Sequence, residues 1–214
     1  MPLKASEFIL NEDGSIYHLN LRPEHLADTI ITVGDPDRVA KITEHFDDIE
    51  FSIQKREFHT QTGSYRGKRI SVISTGIGTD NIDIVFNELD ALVNIDFEKK
   101  EVKKQLKSLD IIRIGTTGSI QAEIPIDAFL LSEKAIGFDG LLHFYQSQEC
   151  IDENFSEAFI KHMDWFPKKA NPYIVENSKI LQQTLDSEEI FKGITATNIG
   201  FYGPQGRSLR LGLQ

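Results

Sequence analysis

Four short apolar runs recur along the chain: Thr29-Ile30-Ile31-Thr32-Val33, Ile70-Ser71-Val72-Ile73, Ile111-Ile112-Arg113-Ile114 and Ala128-Phe129-Leu130-Leu131. They are β-rich and lack the polar–apolar alternation of a half-solvated strand, so they predict strands buried on both faces. Between them the spacing changes. From Asp80 to Val93, the positions Ile84, Val85, Glu88, Leu89 and Leu92 share one helical face, with Asp80 near a cap position. Asn154–Met163 and Ser178–Leu185 also predict helices. Strands alternating with helices specify an α/β fold with a mixed central sheet flanked by helices.

In such sheets ligands bind beyond the carboxyl ends of the strands. Three small-residue segments fall there: Gly34-Asp35-Pro36, Ser74-Thr75-Gly76 and Gly115-Thr116-Thr117-Gly118. Their coincidence is a stronger site signal than any one of them. Asn94–Ser108 is different. It is crowded with Glu98, Lys99, Lys100, Glu101, Lys103, Lys104 and Lys107, and it predicts a solvated helix face or a surface insertion. No internal repeat is visible, and 1–214 reads as a single domain.

Composition narrows the function classes. With 214 residues, 40% apolar and 26% charged, the chain can bury a real core and reads as soluble. A formal net charge of -10 argues against a nucleic-acid surface, which depends on Lys and Arg neutralising phosphates. A small anion needs only a few convergent cations. The one cysteine, Cys150, forms no internal disulfide, and its neighbours Gln148, Glu149 and Asp152 offer nothing to activate a thiol. Without an apolar stretch of signal or membrane length, the expected location is the cytoplasm.

Three constellations carry candidate chemistry. Gly34-Asp35-Pro36-Asp37-Arg38 follows a predicted strand, with Arg38 about one turn into a helix whose N-terminal end favours anions. The competing reading is an ordinary strand-to-helix turn with a surface arginine. Arg113 sits inside an apolar strand and requires a partner, either a structural carboxylate or an anionic ligand. The adjoining Gly115-Thr116-Thr117-Gly118 suits an oxyanion. Phe201-Tyr202-Gly203-Pro204-Gln205-Gly206-Arg207 places a ring, an amide and a guanidinium within one Gly/Pro segment, enough to stack on a planar base and hydrogen-bond its edge. Its competing reading is a surface loop with a packed Phe201.

Taken in order, these segments resemble the uridine phosphorylase branch of the nucleoside phosphorylases, together with Lys55-Arg56-Glu57-Phe58, Ser74-Thr75-Gly76-Ile77-Gly78, Ser119-Ile120-Gln121 and Phe138-Asp139-Gly140-Leu141-Leu142-His143-Phe144. The resemblance runs from about Tyr17 to Arg207, and Asn94–Ser108 looks like an insertion within it. It implies phosphorolysis of uridine to uracil and ribose 1-phosphate, with phosphate as co-substrate and no cofactor. It implies that Gly34, Arg38, Arg113 and Thr116 bind phosphate and that Arg56 reaches the phosphate of a neighbouring subunit. His18 would contact the ribose 5′-hydroxyl across the same interface. Thr117 and Gly118 would lie beside the base, Phe201 would pack on the nucleoside, and Gln205 and Arg207 would read the uracil edge. Arg113, Gln205 and Arg207 form the implied catalytic set. Homodimers, often three to a hexamer, with shared active sites are implied as well.

Taken singly, His18 and Arg56 read as a satisfied histidine and a solvated charge. Asn81 stands where some relatives supply a serine to a monovalent cation site, so no metal is expected. The family pattern also continues past Gln214 to a Met-Glu pair that grips the ribose hydroxyls, so a chain truncated at its C-terminus is expected. The alternatives are a purine phosphorylase or nucleosidase of the same fold, or a non-catalytic nucleoside- or phosphate-binding module. Several cationic positions argue against a nucleosidase, which uses water in place of phosphate.

Overall fold

A computed structural model describes residues 2–213. The chain forms two compact units, one up to Thr117 and one from Gly118 onward. The first unit contains β1 (Thr29–Val33), α1 (Asp37–Thr43), β2 (Asp48–Lys55), β3 (Phe58–Tyr65), β4 (Lys68–Ser74), α2 (Thr79–Asn94), the short strands β5 (Ile95–Asp96) and β6 (Glu101–Val102), and β7 (Asp110–Arg113). Its five-stranded sheet has the order β2-β3-β4-β1-β7. β1 runs parallel to both β4 and β7, whereas β2, β3 and β4 form an antiparallel meander.

Both faces of the parallel centre are covered, as the unalternating apolar runs predict. On one side Ile30 and Ile73 pack with Val85, Leu89 and Leu92 of α2 and with Phe8, Ile16, Leu19 and Leu21 of the N-terminal segment. On the other, Val33 and Val72 pack with Val39 of α1. The spacing of Val85, Leu89 and Leu92 gives α2 its buried stripe. The helix begins at Thr79 with Gly78 at the cap. Asp80 therefore lies in the first turn, where its charge complements the helix dipole without capping.

Asn94–Ser108 contains no helix beyond Asn94 itself; the β5–β6 hairpin occupies it. The buried Asn94 amide donates to the Lys107 carbonyl (3.1 Å) and accepts from the Lys107 amide (2.7 Å), closing the segment at its base. β2 and β3 were not among the expected strands; β2 lies at the sheet edge, and Ile49, Phe51 and Ile53 alternate along it with polar residues.

The second unit contains β8 (Phe129–Gly137), α3 (Glu153–His162), β9 (Tyr173–Glu176), α4 (Lys179–Leu185) and β10 (Ile190–Thr197). Its sheet order is β10-β8-β9, with β8 parallel to β10 and antiparallel to β9. Both helices start at side-chain caps: Asp152 accepts from the Phe155 amide and Ser178 from the Leu181 amide. Phe138–Phe144 turns at Gly140, in the left-handed region (φ 78°), and Asp139 accepts from the Leu141 amide (2.7 Å) and the Tyr173 hydroxyl (2.7 Å). Burial, followed by the Asp139 carboxylate, pushes the Tyr173 phenol well above its ordinary range. Among the described residues no helix is long and apolar enough to cross a membrane.

The Tyr173 ring lies against Gly137, where an added Cβ would stand 2.3 Å from the ring. Gly137→Ala should therefore destabilise the protein by about 1–3 kcal/mol or more in chemical denaturation, as overpacking does. A second change, Tyr173→Ala, should recover part of the loss by vacating the space.

Candidate active site

The parallel register sets the first cluster. Val33 pairs with Ser74 and Thr32 with Arg113, so β1, β4 and β7 end side by side. The ladder continues one step further: the Thr75 amide donates to the Val33 carbonyl (2.7 Å) and the Ile114 amide to the Thr32 carbonyl (2.9 Å). The loops that begin at Gly34, Thr75 and Gly115 thus leave the sheet from one edge.

Two of these loops close around Arg113. A Cβ on Gly34 would lie 3.7 Å from Nη2 of Arg113 and 3.8 Å from the Gly76 carbonyl oxygen, and one on Gly115 would lie 3.9 Å from the same Nη2. Gly76 has φ 67°, and its Cβ would fall 2.5 Å from Nδ2 of Asn81 and 2.8 Å from Cγ of Glu57. Glycine is required there on both counts. Ser74 locks the neighbouring hairpin in place, donating from its hydroxyl to the Glu57 carbonyl (2.6 Å) and accepting from the His59 amide (2.7 Å).

The electrostatics of this edge are unbalanced. Arg113 keeps an exposed side, but burial and then the like charge of Arg38 pull its guanidinium below the ordinary range. Among the described residues, no carboxylate lies within ion-pair distance of Arg113 or Arg38. Of the two partners open to Arg113, the structural carboxylate is thus not found. Two guanidinium groups that raise each other's energy are the arrangement an oxyanion relieves.

Arg38 is the second residue of α1, nearer the helix start than one full turn. Pro36 is the cap residue, and the Asp35 carboxylate accepts from the Asp37 amide (3.0 Å). Thr116 and Thr117 lie in the loop just after β7 and are exposed.

A second group lies at the N-terminal side of the same unit. Arg56 occupies the turn between β2 and β3 in a left-handed conformation (φ 55°) and is exposed. Its neighbour Lys55 donates to the Tyr17 carbonyl (2.5 Å) and to Oδ1 of Asn11 (3.0 Å), which ties the hairpin tip to the chain beside His18. The His18 ring is itself held by Glu88 of α2, Nδ1 to Oε1 at 2.6 Å. Sequence reasoning missed Glu88, although the signal was present: a carboxylate on the otherwise apolar stripe of α2.

In the second unit, the loop after β10 gathers Phe201, Gln205 and Arg207. A single turn of 3-10 helix, Gly203–Gln205, carries the amide, and the Gln205 and Arg207 backbone amides both donate to the Tyr202 carbonyl (3.0 and 2.9 Å). The Arg207 guanidinium lies over the Phe201 ring, 4.0 Å from its centroid. Phe201 is 60% exposed, so this ring and cation present themselves to solvent and do not fill a core. The sequence-predicted residues are therefore divided: Gly34, Arg38, Arg113, Thr116 and Thr117, with His18 and Arg56, in the first unit; Gly118, Phe201, Gln205 and Arg207 in the second.

Comparison with known proteins identifies the family. Residues 28–211 match the family model described as the phosphorylase superfamily. A uridine phosphorylase from Thermococcus kodakarensis is 31% identical over 198 residues, which cover 92% of this chain and 60% of that protein. A DeoD-type purine nucleoside phosphorylase from Alkaliphilus metalliredigens is 37% identical over 119 residues, 55% of this chain and 46% of that one. The chain thus spans less than two thirds of the length of these relatives. The crystal structure of a Trypanosoma brucei nucleoside phosphorylase, described as showing uridine phosphorylase activity, superimposes with a TM-score of 0.78 at 31% identity, covering 95% of this chain and 72% of that one. With a family match over residues 28–211, most of its length, the chain belongs to the phosphorylase superfamily.

Proposed function

We propose that the protein of which this chain forms all or part is a uridine phosphorylase, converting uridine and phosphate to uracil and ribose 1-phosphate. The observation that carries this reading is the Arg38–Arg113 pair, without a carboxylate partner among the described residues, at the shared edge of β1, β4 and β7. The T. kodakarensis and T. brucei relatives support uridine as the nucleoside. The A. metalliredigens relative keeps a purine nucleoside as the second reading.

In this mechanism Arg38 and Arg113, with Gly34 and Thr116, hold phosphate, and Arg56 of a neighbouring subunit completes its shell. Fixing nucleophile and nucleoside in attack geometry supplies much of the acceleration. As the glycosidic bond lengthens, negative charge moves onto the departing uracil. Gln205 and Arg207 meet that charge with a hydrogen bond and a guanidinium, while Phe201 packs on the nucleoside. Thr117 and Gly118 lie beside the base, and His18 takes the ribose 5′-hydroxyl. No nucleophilic side chain and no resident cofactor enter; phosphate is the co-substrate. Homodimers, alone or three to a hexamer, would share these sites in a cytoplasmic setting.

The deciding experiment is turnover with and without phosphate. Uridine should be cleaved only when phosphate is present; equal uracil release without it would mean hydrolysis. Arg113→Ala should raise the KM for phosphate roughly 10–100-fold, the effect of losing a charge-assisted hydrogen bond. Arg207→Ala should instead lower kcat, by roughly 10²–10³-fold if it acts where charge develops. Unchanged uridine turnover in Arg207→Ala would reject its role at the base. Mixing an Arg56→Ala protein with an Arg207→Ala protein should regenerate activity through hybrid dimers; mixtures that exchange subunits but stay inactive would rule out a shared site.

A further inference from the structure

The carboxylate of Glu88 is only 12% exposed and is saturated by one short stretch of chain. Oε1 accepts from the His18 backbone amide (3.0 Å) and Nδ1 (2.6 Å), and Oε2 from the Leu19 amide (2.8 Å). Val85, Leu89 and Leu92 bury the helix face around it, and Leu19 is fully buried behind His18. An acidic side chain on an apolar stripe costs desolvation, which these hydrogen bonds offset.

Their direction has a chemical consequence. A carboxylate only accepts, so the bond at 2.6 Å requires a proton on Nδ1. In the neutral ring Nε2 then carries the lone pair. The His18 side chain is 26% exposed, and among the described residues no protein group is hydrogen-bonded to Nε2. The ring is therefore oriented from behind, with one acceptor atom left for something outside it.

We propose that Glu88 is a positioning residue for substrate: it fixes the Nδ1–H tautomer of His18 so that Nε2 accepts a hydrogen bond from the primary hydroxyl of the nucleoside's sugar. This rests on the proposed uridine reading for the identity of the hydroxyl, but not for the state of the ring. Glu88→Gln probes it with little change of shape. The carboxamide oxygen can still accept from the backbone amides, while its NH₂ donates to Nδ1 and moves the ring proton to Nε2.

The test has two independent readouts. In the wild-type protein labelled with ¹⁵N-histidine, at a pH where the ring is neutral, two-bond ¹H–¹⁵N correlations should assign His18 as the Nδ1–H tautomer. Glu88→Gln should convert it to Nε2–H. An Nε2–H ring in the wild type would overturn the proposal without any variant having to fold. In kinetics, Glu88→Gln should reduce the preference in kcat/KM for uridine over 5′-deoxyuridine roughly tenfold, the worth of about one hydrogen bond. It should add nothing further to that preference in a His18→Ala background. An equal loss on both nucleosides would make Glu88 merely structural. If the wild type turns over neither nucleoside, the uridine reading and the sugar contact fall together, and the tautomer alone decides whether Glu88 sets the ring.

Discussion

The common ending of three parallel strands is the constraint on which the rest of this protein depends. Parallel pairing fixes Val33 beside Ser74 and Thr32 beside Arg113, so three chain segments must leave the sheet at one level. The apolar faces enforce that register. A one-residue slip of β1 would turn Ile30 away from the α2 core and Val33 away from the α1 core. Packing energy spent on both faces of the sheet is thus what holds the loops in place.

Small residues line that edge, and at Gly76 only glycine fits. Gly34 and Gly115 leave the Arg113 guanidinium room, since an added Cβ at either would only just touch it, and Gly76 turns where a side chain would strike Asn81 and Glu57. The result is a cation partly withdrawn from water, beside a second cation, with no carboxylate partner among the described residues. A cation placed so is open to an anion, and the proposed phosphate would meet it there.

The same logic of support from behind recurs at His18. Glu88 projects from α2, the helix that covers the sheet, and grips the N-terminal segment by two backbone amides and one ring nitrogen. Lys55 grips the same segment from the β2–β3 turn through the Tyr17 carbonyl. The segment has little regular structure of its own, yet Phe8, Ile16, Leu19 and Leu21 are buried. Its order comes from these anchors and from burial, and its candidate site residue His18, like Arg56 in the β2–β3 turn, is placed by neighbours in the fold.

Much of this was legible in the residues themselves. The unalternating runs gave β1, β4, β7 and the start of β8; the 3.6-residue spacing gave α2, α3 and α4; Gly and Thr clusters marked the strand ends. These are local signals, written in periods of a few residues. The β2–β3 hairpin was not among the expected strands, although Ile49, Phe51 and Ile53 alternate with polar residues along β2, the pattern of a half-buried strand. Nor was the β5–β6 hairpin, whose charges suit any solvated conformation. Local pattern left Arg113 a choice between a carboxylate and a ligand, and it gave His18 and Glu88 no relation across 70 residues of chain. Tertiary structure left Arg113 with no carboxylate among the described residues and joined His18 to Glu88. Which charges meet, and which are left without a partner, depends on strand order and helix docking, and these are set by the packing of the whole core.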